Sequence, residues 1–142
     1  MIYTPLTKKA MTVAYEAHHG QTDKSGLPYI YHPIHLAEQM EDELCCCAAL
    51  LHDVAEDCPI SLDDLSGMGF PAPVTEALAL LCHDETQPYM DYIREIKANP
   101  IARAVKLADL RHNSDLTRLD SVDEKALLRR EKYLAALRLL EE

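Results

Sequence analysis

The sequence predicts an all-α fold, on three observations. Apolar residues recur at helical spacing through most of the chain, and Pro and cap residues punctuate it at helix-length intervals. No stretch alternates apolar and polar residues with β-branched enrichment as a strand would. The punctuation implies a bundle of about six or seven helices. With 142 residues, the chain suits one domain spanning Met1 to Glu142, large enough to fold on its core alone.

Thr4-Pro5 reads as an N-cap followed by Pro at the first helical position, with Leu6, Ala10, Val13, Ala14 and Ala17 on one face. Gly20 to Ile30 reads as a loop broken by Gly26 and Pro28. His32-Pro33 opens a second helix through Met40, with His32 as its N-cap. A third helix, Glu43 to Val54, is apolar nearly all round, which is the pattern of a buried central helix. Ser61-Leu62-Asp63-Asp64 starts a short helix that stops at Gly67-Met68-Gly69. Pro73 opens the next, through Leu81, Pro88 another, through Asn99, and Pro100 one more, through Asn113. The last helix carries a capping box from Ser121 to Glu124 and continues with Leu127, Leu128, Leu134, Leu137 and Leu140.

Nearly half the residues are apolar (48%), which is a globular composition. The formal charge of −10 argues against a nucleic-acid binder, which needs a basic face, and against adhesion to anionic membranes. A small anionic substrate would need local cations or a metal. Three of the five cysteines are consecutive. Cys45, Cys46 and Cys47 point about 100° apart on a helix, so they read as core packing rather than a disulfide framework. Met1 to Pro5 begins a helix rather than a leader, and no apolar run matches a membrane span, so a reduced, cytoplasmic setting is expected. The closing leucine-rich helix could also serve a homo-oligomer.

Chemistry concentrates in a few places. His52-Asp53 sits at the end of the most hydrophobic helix, where an unpaired carboxylate is costly and the helix dipole makes it worse. A bound cation would reverse that cost, and imidazole with carboxylate suits Mn²⁺, Fe²⁺ or Zn²⁺. The plain alternative is a solvated Asp53 with His52 capping the helix. Glu56 and Asp57 follow within six residues; two carboxylates there can handle a proton of an attacking water, or can simply occupy a solvated loop. His32 is an unusual N-cap, which hints at a second role, though an ordinary surface His fits too. Asp109 lies in an otherwise apolar segment, with Lys106 three residues before it and Asn113 four after, on one helical face. That trio could hold metal and phosphate together, or Lys106 and Asp109 could be a local ion pair. A structural zinc at Cys58, Cys82 and His83 lacks the two closely spaced ligand pairs such sites use.

Four motifs in order carry a resemblance from Thr4 to Asp120. They are His18-His19-Gly20-Gln21 through Lys24 to Gly26, Pro28-Tyr29-Ile30-Tyr31-His32-Pro33, Leu51-His52-Asp53-Val54-Ala55-Glu56-Asp57, and Val105-Lys106-Leu107-Ala108-Asp109 with Asn113. Together they resemble the HD-domain metal-dependent phosphohydrolases, in particular the RelA/SpoT-type hydrolase domain and the small alarmone hydrolases. The resemblance implies that His32, His52, Asp53 and Asp109 hold a divalent metal, usually Mn²⁺. It implies that Glu56 and Asp57 activate water, and that Lys24, Lys106 and Asn113 contact a nucleotide substrate. The implied reaction removes pyrophosphate from the 3′ position of guanosine tetra- or pentaphosphate. The alternatives are another phosphate ester on the same scaffold, or a module that binds metal and nucleotide without turnover. One departure stands out. The family commonly has an Arg before the residue equivalent to Lys24; here it is Asp23, which would repel a nearby phosphate.

Overall fold

The computed structural model describes residues 1–142. It is all-helical, with eight α-helices: α1 (Pro5–Ala17), α2 (Tyr31–Glu38), α3 (Glu43–Asp57), α4 (Leu62–Gly67), α5 (Ala72–Leu81), α6 (Tyr89–Lys97), α7 (Pro100–Asn113) and α8 (Glu124–Glu141). A single 3₁₀ turn, Leu116–Arg118, lies between α7 and α8. Asn99 ends α6 and caps α7 within one step, at the break that Pro100 marks in the sequence. Its side chain accepts from the Ala102 N–H, and Pro100 follows as the first helical residue.

α3 is the centre. Every residue from Cys45 to Val54 is buried, and the helix packs against α1, α2, α5 and α7. The three cysteines are free thiols inside the core. Asp42 caps α3, its carboxylate accepting from the Cys45 N–H at 2.8 Å. α8 closes the bundle over α6 and α7. No helix is long and apolar enough to cross a membrane.

Three boundaries depart from expectation. His32 is not an N-cap: α2 begins at Tyr31, and Ile30 precedes it in helical conformation without a side-chain cap. Backbone bonds from Tyr31 to Pro28 and from His32 to Tyr29 already turn the chain there, so His32 is free to point inward. α3 runs one turn further than its apolar run, through Asp57, so Glu56 and Asp57 lie on a helix rather than a loop. α8 is capped by Asp123, whose carboxylate accepts from the Ala126 N–H at 2.8 Å. Asp caps as well as Ser, and the Asp nearer the helix displaces Ser121.

The loop between α1 and α2, residues 18–30, is long but well tied. Thr22 and Pro28 form an isolated antiparallel bridge, and Gly26 turns the chain at a φ of 82° that favours glycine. This loop brings Lys24 and Tyr29 to the same face of the bundle as α7.

Leu50 is fully buried at the middle of α3. Leu50→Ala is expected to lower the unfolding free energy by about 2–5 kcal/mol, read as a lower urea midpoint at unchanged slope.

Candidate metal centre and adjoining cavity

Three helices deliver four ionisable side chains to one point. His32 comes from α2, the neighbours His52 and Asp53 from α3, and Asp109 from α7. All four are buried, none more than 7% exposed. His32 Nε2 is 3.0 Å from Asp109 Oδ1 and 3.7 Å from Asp53 Oδ2. His52 Nε2 is 3.1 Å from Asp53 Oδ2 and 3.7 Å from Asp109 Oδ1.

These spacings fit a cation. Bonds of about 2.1 Å put neighbouring ligands about 3.0 Å apart at right angles and about 3.4 Å apart in a tetrahedron. His32, His52 and Asp109 each offer an atom within 4.8 Å of the others, and Asp53 Oδ2 lies beside both imidazoles. The strongest sign is His52 Nε2, which is buried and makes no hydrogen bond. Asp53 approaches it off the line such a bond needs, so that contact is charge attraction alone. The opposite ring nitrogen, Nδ1, is held by the Ala49 carbonyl at 2.7 Å. A hydrogen on Nδ1 leaves the Nε2 lone pair facing the cluster.

The charges point the same way. Two carboxylates and the Lys106 ammonium leave one negative charge when both imidazoles are neutral. Burial is the largest single influence on His52 and disfavours its charge, but the Asp53 and Asp109 carboxylates together outweigh it and raise the imidazole well above its ordinary pKa. Burial is likewise the largest influence on Asp53 and pushes it up, and His52 and His32 together outweigh that, holding the carboxyl at about 2. Asp109 is held well below the carboxylate range: burial is the largest influence and pushes it up, but Lys106 together with His32 and His52 overcomes it. Without a cation, a proton on His52 takes the role of positive charge.

The outer contacts fix both carboxylates. Tyr29 Oη donates to Asp53 Oδ2 at 2.6 Å. Asp109 Oδ1 accepts from Asn113 Nδ2 at 3.0 Å, and Oδ2 from Lys106 Nζ at 3.0 Å. Of the two readings open for Lys106, the ion pair is the one observed. Its ammonium also sits 5.4 Å from the centre of the Tyr92 ring. Glu56 and Asp57 follow Asp53 by three and four residues, on the same helical face. Both reach solvent, yet both carboxyls sit above their ordinary values. The surrounding protein is the larger cause, followed by Asp57's charge for Glu56 and Asp53's for Asp57. Raised carboxyls beside such a cluster suit proton transfer.

A cavity of about 310 Å³ opens beside His32 and Tyr29. Its wall includes Lys24 and Asn113, as expected, but not Lys106. It also includes Arg118, Arg129 and Tyr133, which local sequence patterns did not single out. Ala126, Arg129 and Tyr133 recur at spacings of three and four on α8, a stripe hidden among its leucines. Arg118 had no local signal at all. Asp23 lines the same cavity, but its carboxylate is occupied. Oδ1 accepts from the Ser25 and Leu27 N–H groups at 2.8 and 3.0 Å, and Oδ2 lies 3.9 Å from Arg118 Nη2. The expected repulsion of phosphate is therefore offset by a cation drawn to the cavity wall. His112 is the other residue missed. Its ring stands against His35 and His32. Burial, helped by the Arg118 charge, lowers its pKa to about 4. Cys58, Cys82 and His83 do not form a group that could hold a metal; the Cys58 thiol instead lies 3.8 Å from His18 Nδ1.

No protein-family model matches the chain. Sequence relatives do. It is 48% identical over 62 residues to a guanosine-3′,5′-bis(diphosphate) 3′-pyrophosphohydrolase of Vibrio cholerae, covering 41% of this chain and 9% of the relative. It is 35% identical over 108 residues to guanosine-3′,5′-bis(diphosphate) 3′-pyrophosphohydrolase MESH1 of Mus musculus, covering 68% of this chain and 60% of that one. The chain thus spans under a tenth of the bacterial relative and under two thirds of the mouse one. Among solved structures, one described as a metazoan ortholog of SpoT that hydrolyzes ppGpp superposes with a TM-score of 0.73 at 24% identity, over 99% of this chain and 85% of the other. That likeness shows a shared fold. The relatives bear out the resemblance drawn from the four motifs.

A depressed carboxyl contributes stability above its unfolded pKa and loses it as pH falls through its folded one. In chelator, the urea midpoint is therefore expected to fall as pH drops from 3.8 through about 2, and Asp53→Asn should flatten that limb. An equally steep limb in the variant would show that Asp53 is not held down.

Proposed function

We propose that this chain, a relative of the guanosine-3′,5′-bis(diphosphate) 3′-pyrophosphohydrolases, is a divalent-metal phosphohydrolase that removes the 3′-pyrophosphate of guanosine tetra- or pentaphosphate. One observation carries the reading: four buried ligand-type side chains converge, and one of them, His32, lines a cavity that also holds Lys24, Arg118 and Arg129. In a chain of charge −10, three cations gathered in one pocket beside the cluster favour an anionic ligand. The proposal treats residues 1–142 as one hydrolase domain working in a reducing cytoplasm, where its five cysteines stay free.

His32, His52, Asp53 and Asp109 are the proposed ligands, and Mn²⁺ the proposed ion, since mixed imidazole and carboxylate oxygen ligation suits it. When bound, the ion would supply Lewis-acid polarisation and lower the pKa of water. Glu56, with Asp57 beside it, accepts the proton of the attacking water. The water oxygen bonds to the phosphorus nearest the ribose, the bond from that phosphorus to the 3′ oxygen breaks, and the proton taken by the acidic pair passes to the 3′ oxygen, which leaves as a hydroxyl. Lys24, Arg118 and Arg129 hold the anionic groups, and Asn113 orients the substrate from the same turn that carries Asp109. Tyr133 offers a ring face to the base. Lys106 acts at one remove, holding Asp109 charged and aimed.

Three variants test this with Mn²⁺ and guanosine tetraphosphate, beside ordinary nucleotides and a generic phosphodiester. His52→Ala is expected to abolish Mn²⁺ binding and turnover together; normal turnover would overturn the metal assignment. Glu56→Gln is expected to keep the ion and lose about 10²- to 10⁴-fold in rate; an unchanged rate removes it from the mechanism. Arg129→Ala should raise KM with little change in kcat, and a pure kcat loss would place Arg129 elsewhere. Activity only on the other compounds would point to a different phosphate ester.

A further inference from the structure

His32 and His52 both meet the cluster through Nε2, but their outer nitrogens are held differently. His52 Nδ1 faces a backbone carbonyl, which only accepts and so keeps the hydrogen on Nδ1. His32 Nδ1 lies 2.7 Å from His112 Nδ1. The two rings are nearly parallel, 6° apart. His112 is itself held on two sides: its ring lies 4.2 Å from that of His35, and its carbonyl accepts from Arg118 Nη1 at 2.9 Å. It is three residues after Asp109, so one helix carries both a cluster carboxylate and the group behind His32.

We infer that His112 is the positioning residue that aims the His32 Nε2 lone pair at the cation by accepting the hydrogen on His32 Nδ1. The inference rests on the metal reading above. A ligating histidine usually gives its outer N–H to a carboxylate, carbonyl or water; here the acceptor is a second imidazole. That choice has a consequence. With the cluster empty, His32 Nε2 lies 3.0 Å from Asp109 Oδ1, and a hydrogen on Nε2 satisfies that contact. His32 Nδ1 must then accept, which His112 permits by placing its own hydrogen on Nδ1. With a cation, His32 needs its hydrogen on Nδ1, and His112 accepts instead. A carbonyl or carboxylate could serve only the second arrangement. His112 supports both without moving a ring.

The test compares Mn²⁺ affinity, by titration of the free ion's paramagnetic resonance signal, in the unsubstituted protein, His112→Phe and His112→Gln. Phe keeps the flat ring against His35 but offers no acceptor. Gln keeps a group that both donates and accepts. Phe is expected to weaken Mn²⁺ about 10- to 100-fold and to melt somewhat lower in chelator, because the empty cluster also uses the His112 N–H, while Gln retains most of the affinity and of the melting temperature. If His112→Phe melts too early to titrate, His112→Asn against His112→Leu makes the same comparison in near-equal volumes. Equal binding by the variants with and without an acceptor overturns the inference and leaves the metal reading intact. Equal loss in both also overturns it, since ring packing then suffices. No Mn²⁺ binding by the unsubstituted protein sinks the metal reading itself, and this inference with it.

Discussion

The site depends on one constraint: two carboxylates are buried where water cannot solvate them. Removing an ion from water costs several kcal/mol even after the protein relaxes. Asp53 and Asp109 are nonetheless held ionised, and the surrounding contacts explain how. Lys106, Asn113 and Tyr29 supply donors from outside, and the two imidazoles face inward. These contacts leave one negative charge over when the imidazoles are neutral. A divalent ion would turn that surplus into a net positive centre, which suits a phosphate. A proton on His52 can balance it in the meantime but cannot activate water. The arrangement makes sense as a preorganised cation site more than as an ion-pair network, since His52 Nε2 has no hydrogen bond and a pure network would have supplied one.

The fold serves that constraint directly. α3 must be buried all round to carry His52-Asp53 into the interior, and so it is sheathed by α1, α2, α5 and α7. Its last turn then emerges and lifts Glu56 and Asp57 into solvent on the face that holds Asp53. α7 does the complementary work. Asp109 points to the cluster, Lys106 and Asn113 flank it at three and four residues, and His112 reaches behind His32. The acidic surface and the cationic cavity are two halves of one electrostatic design. A net charge of −10 repels polyanions in general, so under the proposed function binding would rely on Lys24, Arg118 and Arg129, which line the cavity beside the cluster.

How much of this the sequence revealed depended on whether the signal was local. Thr4-Pro5 and Asn99-Pro100 mark their helices because capping is settled within a few residues. The all-round apolar stretch from Leu44 to Leu51 identified the central helix for the same reason. His32, His52, Asp53 and Asp109 are 20 to 77 residues apart along the chain, apart from the adjacent pair. No spacing rule joins them; only the ordered motifs did. Arg118, Arg129 and Tyr133 stayed hidden because a cavity is made by packing α8 across α7, a tertiary event with no local trace. Boundary errors had a similar origin. His32 looked like a cap because Pro33 follows it, but the tight turn from Pro28 to His32 had already started the helix.

Asp23 shows why substitution at a binding loop should be weighed in three dimensions. Read in line, an acid in place of the family's usual Arg removes a cation and adds a repulsion. In the structure its carboxylate closes the loop on Ser25 and Leu27 and faces Arg118. Ser25 Oγ strengthens the same junction by donating to the Arg118 carbonyl at 2.6 Å. The guanidinium reaches the cavity from a different element, anchored to the loop that carries Lys24. The acid at position 23 therefore sits in a cavity wall that still carries a cation. A planar cation arriving from the 3₁₀ turn would meet a bound molecule from another side than one arriving from the loop. Any difference in base preference from the relatives should follow from that change of direction, since the cluster of His32, His52, Asp53 and Asp109 does not depend on it.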